Sequence, residues 1–239
     1  MVSGAPVDDA TLDQLADALV ALEPRPRELR WVSLSLCIVD AVWSIGANYD
    51  TVVVPMVRER VAQALGVESP TALAAGFRAK DPTSLQKLKE LGLDRLTELT
   101  NRQRTSTRSG ILKSEAVLEH CRIFRHHEIE TLEQAIALME DDSRFAQVDK
   151  ALRAIPGEGR YGIRRNYLWM VLGNDDLIKP DRMVLRWLEG HGVKTDPDGA
   201  RSVIAALVSK VELPGGRRPT PWEIDHAIWL AARAKKKRR

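Results

Sequence analysis

The chain has 239 residues, 44% hydrophobic and 29% charged, a soluble globular composition with room for one large domain or two small ones sharing a cleft. The longest apolar run, Trp31 to Ala47, contains Asp40 and several serines and falls short of the roughly 20 residues that span a bilayer. With no basic and apolar leader in Met1 to Asp9, a cytoplasmic protein without a membrane partner is expected. Cys37 and Cys121 form no C-x-x-C pair, which argues against a disulfide framework, a zinc ribbon or a four-cysteine cluster; both read as buried small hydrophobes.

Leu12 to Leu22 carries leucines on one helical face. Glu23 to Arg27, with two prolines, breaks the chain. A mostly apolar helix is predicted from Trp31 to Ala47, buried on most sides. Asn48-Tyr49-Asp50 interrupts it, and a further helix is predicted over Thr51 to Leu65, with Pro55 in its first turn. Ser69-Pro70 and Asp81-Pro82 pair a cap residue with a proline, predicting short helices over 70–78, 82–91 and 94–100. A polar, irregular stretch covers 101–110. Helices are predicted at 111–125, 131–139, 144–154 and 160–172, then from Asp181 to Glu189, Pro197 to Lys210 and Pro221 to Ala234. Thr220-Pro221-Trp222-Glu223 forms a capping box. The one β-branched run, Thr51 to Val54, fits a buried helix in this context. The fold class is all-α.

The net charge of +3 is unevenly placed. Arg102, Arg104, Arg108 and Lys113 lie in one stretch, Arg160, Arg164 and Arg165 in another, and Lys235 to Arg239 forms a basic tail. Such clusters fit a polyanionic partner or a solvated face. The second cluster follows a tight turn, Ile155-Pro156-Gly157-Glu158-Gly159-Arg160, between two predicted helices. Glycines there permit positive φ and close approach of another backbone. The turn amides and the next helix N-terminus form a place for phosphate, and such contacts hold a nucleic-acid backbone without reading its sequence.

This hairpin, and the segment Lys179-Pro180-Asp181-Arg182-Met183-Val184-Leu185-Arg186 after it, resemble the helix-hairpin-helix DNA glycosylases, the superfamily of endonuclease III and the mismatch glycosylases. The specific match covers about 45 residues. The resemblance implies two helical subdomains flanking a cleft. Residues 31–173 would form a helical barrel ending in the helix-hairpin-helix of 144–172, and residues 1–30 with 174–239 the other half. It implies a monomer without metal or cofactor that binds duplex or single-stranded DNA and hydrolyses the N-glycosidic bond of a damaged, mismatched or modified base. DNA contacts are expected from Gly157, Glu158, Gly159, Arg160, Tyr161 and Arg164. Across from the hairpin, Arg104 and Arg108 are expected to contact phosphates, or to lie in a solvated loop.

Asp181 is the implied catalytic residue. Breaking a base–sugar bond develops positive charge on the sugar, which an ionised carboxylate stabilises while orienting water, after the base has left the stack. Read from position alone, Asp181 caps the helix that follows. The sequence departs from the family at Glu158, where an apolar residue is usual and an acid would repel phosphate, and at Gly162 and Ile163, where small residues are usual. The hairpin-to-aspartate spacing is also longer by a residue or two. Tyr161 stands where bifunctional members carry a lysine, so strand cleavage by an amine is not expected. Lys179 is expected to point away from Asp181 because proline intervenes. Asp40, Ser44 and Asn48 recur every four residues on one face. By the same resemblance, in which mismatch-adenine glycosylases carry a general-acid glutamate on the comparable helix, Asp40 is a second catalytic candidate, with Ser44, Asn48 and Tyr49 as base-pocket residues. Read from the residues alone, it is a buried aspartate bonded to Ser44 or an arginine. His126-His127 read as surface histidines. A non-catalytic helix-hairpin-helix DNA-binding protein is the alternative function.

Overall fold

The computed structural model describes residues 7–237, with side chains described through residue 234, so the charges of the expected tail lie outside the described residues. In chain order the helices begin with α1 (Asp9–Val20), then strand β1 (Leu29–Trp31) and α2 (Leu34–Ser44). Two π-helical segments, Tyr49–Val53 and Met56–Val61, lead into the short α3 (Ala62–Ala64), followed by β2 (Thr71–Leu73). Next come α4 (Leu85–Glu90), α5 (Gly92–Leu99), α6 (Lys113–His126), α7 (Leu132–Leu138), α8 (Asp142–Arg153) and α9 (Ile163–Leu172). The last three are α10 (Arg182–Gly190), α11 (Pro197–Lys210) and α12 (Pro221–Lys237). The fold is thus mostly helical. No helix among the described residues is long and apolar enough to cross a membrane.

The chain divides into two compact units, residues 28–173 and residues 1–27 with 174–239. In the second of these, α1, α10, α11 and α12 bury Leu15, Leu19, Leu188, Ile204, Leu207, Ile224 and Ile228 in one core. Local caps start these helices. Asp8 accepts a bond from the Thr11 amide at 2.8 Å, and Asp196 accepts from Gly199 at 2.9 Å with Pro197 at the first helical position. Thr220 and Glu223 exchange their bonds, each at 3.2 Å.

In the 28–173 unit, α2 is the central element, with Leu34 to Trp43 all buried, and it packs on α9 and α6. Its start is held from afar. Asp81 Oδ2 accepts the Leu34 amide at 2.8 Å and the Leu132 amide at 2.9 Å, so one carboxylate caps both α2 and α7. Asp81 Oδ1 takes the Thr83 amide at 3.1 Å. Asp81 is therefore a cap, but chiefly for two helices remote in sequence. With its carboxylate so engaged, residues 81–84 form a turn and the helix expected over 82–91 shortens to α4. The unit's entry and exit segments meet, because Arg30 Nη2 donates to the Leu172 carbonyl at 3.3 Å and its guanidinium fills the space a side chain at Gly173 would need.

Other expected elements need correction. The helix expected over 70–78 is β2, which pairs antiparallel with β1, Leu29 opposite Leu73 and Trp31 opposite Thr71. Flanking bonds from Val32 to Pro70 and from Ala74 to Glu28 extend the pairing. Pairing with β1 overrides the helix preference of its alanines, as tertiary context does. The apolar helix expected from Trp31 to Ala47 is shorter, because Trp31 belongs to β1 and the chain turns extended at Ile45. Residues 49–64 wind continuously, but with wide π turns on both sides of Pro55, where Val54 bonds back to Tyr49 and Ala62 to Val57. Pro55 lies beyond the first turn and has no N–H to give, and the wider turns accommodate it. Finally, the helix expected from 160 starts at Ile163. Gly159 (φ 76°) and Gly162 (φ 61°) keep the residues before it in a left-handed turn.

Replacing Asp81 tests its part in joining three segments. Asp81→Ala leaves two helix-start amides without an acceptor and is expected to lower stability by about 3 kcal/mol in urea unfolding. Asp81→Asn, which keeps one acceptor oxygen, should cost about half as much. A loss below about 1 kcal/mol for the alanine variant would show that α2 and α7 are held by other means.

Candidate functional site

The hairpin is built as a turn locked onto the 101–112 segment. Gly157 has φ 88°, and a Cβ there would stand 2.3 Å from Thr105 Oγ1. Thr105 Oγ1 donates to the Pro156 carbonyl at 2.7 Å and accepts the Ile111 amide at 3.1 Å. Arg164 adds bonds to the Thr105 carbonyl (3.2 Å) and the Gly157 carbonyl (3.3 Å). The close approach that Gly157 permits is therefore used by the protein's own backbone and Thr105.

Glu158 does not face solvent, where it would repel a phosphate. Its side chain is 3% exposed, and Oε1 accepts the Arg165 amide, in the first turn of α9, at 2.9 Å. Arg164 Nη1 lies 3.7 Å from Oε2 and Arg165 Nη1 3.7 Å from Oε1. Arg165 Nε also donates to Asp149 Oδ1 at 2.6 Å, which takes the Trp169 indole N–H at 2.8 Å. A carboxylate thus stands at the helix start where the sequence suggests a phosphate, and Arg164, expected at the DNA surface, is buried beside it. Burial raises the Glu158 carboxyl above its ordinary range, opposed by Arg164, the Arg165 amide and Arg165. Burial likewise lowers Arg164, against the pull of Glu158.

Other basic residues divide between surface and interior. Arg160 is exposed and its guanidinium lies 4.3 Å from the Tyr161 ring centre, a cation–π contact. Arg102 and Arg108 are exposed. Arg104 donates twice to the Gly110 carbonyl, at 3.0 and 2.6 Å, closing its own loop. Lys113 is buried. Its Nζ donates to the carbonyls of Trp43 (3.1 Å) and Ile45 (2.7 Å) and to Gln103 Oε1 (3.0 Å), ending α2. Burial, and secondly Arg164, bring its pKa down to about 8.

Asp40 is fully buried and well supplied with donors. Oδ2 accepts the Trp31 indole N–H at 2.7 Å and the Tyr49 hydroxyl at 3.1 Å, and Oδ1 accepts the Ser44 hydroxyl at 2.5 Å. Burial, then Asp40, then Tyr167 push the Tyr49 phenol well above its ordinary range. Ser44 and Tyr49 thus gather at Asp40 as its hydrogen-bond partners, which is the buried-aspartate reading. Asn48 is exposed and caps the following turn through the Thr51 amide at 3.1 Å.

In the other unit, Asp181 begins α10. Oδ1 accepts the Met183 amide at 2.7 Å, and Oδ2 lies 3.6 Å from Lys179 Nζ. The Asp181 side chain is 26% exposed and that of Lys179 only 8%. The expectation that Lys179 points away is corrected. Asp181 N bonds back to the Lys179 carbonyl at 2.6 Å across Pro180, a tight turn that brings the two side chains together. Beneath them lies Asp225 of α12, 6% exposed, whose Oδ1 accepts the Lys179 amide at 3.1 Å. Burial pushes its carboxyl up to about 7, with Lys179 lowering it and Asp181 raising it. Asp225 is absent from the sequence expectations. The signal was an acid on the face of α12 that also carries Ile224 and Ile228.

Two outcomes follow. Glu158→Ala leaves Arg164 buried without its carboxylate and Arg165 with Asp149 alone, and is expected to cost about 3–5 kcal/mol in urea unfolding; a change under about 1 kcal/mol would remove Glu158 from the frame of the hairpin. For Asp225, the folded state holds a proton between the unfolded value, near 3.8, and about 7. Its contribution to stability is therefore full below pH 3.8 and is lost as pH rises through about 7. The wild-type stability minus that of Asp225→Asn should fall over this range by at most about 1.4 kcal/mol per pH unit. A difference independent of pH would contradict the assignment.

No curated protein and no solved structure significantly matches this sequence. One family model, described as a domain of unknown function (DUF8548), matches residues 10–233. The chain belongs to that family.

Proposed function

We propose that the chain is a monofunctional DNA glycosylase of the helix-hairpin-helix type, hydrolysing the bond between a damaged, mismatched or modified base and its sugar. The observation that carries this reading is the Asp181 arrangement: a quarter-exposed carboxylate 3.6 Å from a buried ammonium and backed by a buried second acid. A partly exposed carboxylate beside a buried ammonium and a buried second acid is an arrangement that acid–base chemistry uses. Asp181 stabilises the positive charge that grows on the sugar as the base departs with its bonding electrons and a proton. Water then adds to the sugar carbon and gives a proton to solvent, replacing the one the departing base took from solvent. Lys179 is buried against Asp181, which suits a role in holding the carboxylate rather than attacking the sugar. Exposed Arg160 with Tyr161, and Arg102 and Arg108 on the segment that Thr105 ties to the hairpin, are the phosphate contacts of this proposal.

A second reading, a non-catalytic DNA-binding protein on the same scaffold, is favoured by Glu158 at the start of α9 and by the Asp181 cap bond.

Base release from a panel of lesion-containing duplexes separates the two. Asp181→Asn keeps a good cap residue but loses the charge, and is expected to reduce release at least a hundredfold while DNA binding survives. Binding without release from any substrate by the wild type leaves the second reading. Arg160→Ala with Arg108→Ala should weaken binding regardless of sequence and lower the salt dependence by about one unit for each arginine replaced; a wild type that binds no DNA ends both readings.

A further inference from the structure

Asp225 and Lys179 form a buried pair whose outer partner is Asp181, and the contacts among them are directional. The Asp225 carboxylate holds the Lys179 backbone amide at 3.1 Å. From that fixed peptide, the Lys179 side chain reaches to within 3.6 Å of Asp181 Oδ2. The Met183 amide fixes the other Asp181 oxygen at 2.7 Å. Asp225 is 6% exposed and Lys179 7%, so neither is dissolved by solvent.

The charged groups that act on Asp225 are Lys179 and Asp181, both from the segment leading into α10. Helices α1, α10 and α11 contribute Leu15, Leu188 and Ile204 to the core that Ile224 and Ile228 of α12 share. On α12 itself, Glu223 is bonded to Arg217 at 2.6 and 2.9 Å. His226 stays neutral, its pKa lowered to about 4 by burial, Arg27, Arg233 and Lys179.

We infer that Asp225 is a positioning residue for Asp181 that acts through Lys179, anchoring the peptide from which the ammonium reaches Asp181 and competing with Asp181 for that ammonium. Two carboxyls and one ammonium leave an uncompensated negative charge when all three are ionised. While Asp225 keeps its proton, the Lys179 ammonium is left to Asp181 Oδ2, with the Met183 amide on the other oxygen. Once Asp225 ionises, near pH 7, the ammonium is shared and the grip on Asp181 loosens. As part of a mechanism this rests on Asp181 being the reacting carboxylate; as a coupling between three groups it does not.

The test is a pH titration of carboxyl resonances by NMR, on the full chain labelled at aspartate carboxyls. In the wild type, the Asp181 resonance should show a second inflection at the Asp225 midpoint. Asp225→Asn, which keeps an acceptor for the Lys179 amide, should abolish that inflection, and Lys179→Met should raise the Asp225 midpoint. An Asp181 resonance that stays flat through the Asp225 titration overturns the inference, and this is read on the wild type alone if the variants do not fold. Where the wild type releases a base, Asp225→Asn should remove the limb near pH 7 from the kcat profile with little change in KM; an unchanged profile overturns the positioning role. Coupling in the NMR titration without release of any base defeats the enzymatic reading and leaves the coupling standing.

Discussion

Helix α2 lies in the interior of its unit, with Leu34 to Trp43 all buried, and the buried backbone groups at its ends need partners within the protein. Each must find a partner in protein, since a buried amide or carbonyl left alone costs about 1–3 kcal/mol. The partners come from far along the chain. Asp81 receives the first amide, and Lys113 supplies an ammonium to the carbonyls of Trp43 and Ile45. Midway, Asp40 is accommodated by donors from Trp31, Ser44 and Tyr49. The same Asp81 carboxylate starts α7, and the Lys113 stem begins α6. Satisfying one buried helix therefore also marks where two others, α6 and α7, begin.

Charge balance distinguishes the two buried ionic groups. At the hairpin, Glu158 and Asp149 face Arg164 and Arg165, two acids against two bases, and the pairs support each other. Such a group is expensive to break. Around Lys179 there are two acids and one base. Burial there drives one proton onto the pair, which leaves the group poised close to neutral pH. The first group reads as framework and the second as a place where protonation can change.

The helical character is legible in the sequence because its signals are local. The apolar spacing of Leu12 to Leu22 gives α1, and the Thr220–Glu223 capping box gives the start of α12, each within four residues of the group it bonds. What escapes is decided by distant partners. β2 exists because β1 lies beside it, some forty residues away in the chain. Lys113 looks like one member of a basic surface cluster until the end of α2 is placed beneath it. Glu158 reads as an intruder in a phosphate site until Arg164 and Arg165 close on it. Asp181 is legible as a cap and as a candidate carboxylate, but Asp225 becomes its neighbour only through the packing of α12 on α10.

The interleaving of the two units bears on how the chain assembles as it is synthesised. Residues 28–173 are contiguous, so that unit has all its parts before α10 is made. Helix α1 is synthesised early but packs on α11 and α12, which come last. Joining them across an unfolded insert would carry the loop-closure entropy of the whole intervening chain. The Arg30 bond to Leu172 changes that, because once formed it brings the insert's two ends together and the long loop behaves as a short one. Folding of the inserted unit thus lowers the entropy cost of assembling the discontinuous one, and loosening the clasp between Arg30 and Leu172 would return part of that cost.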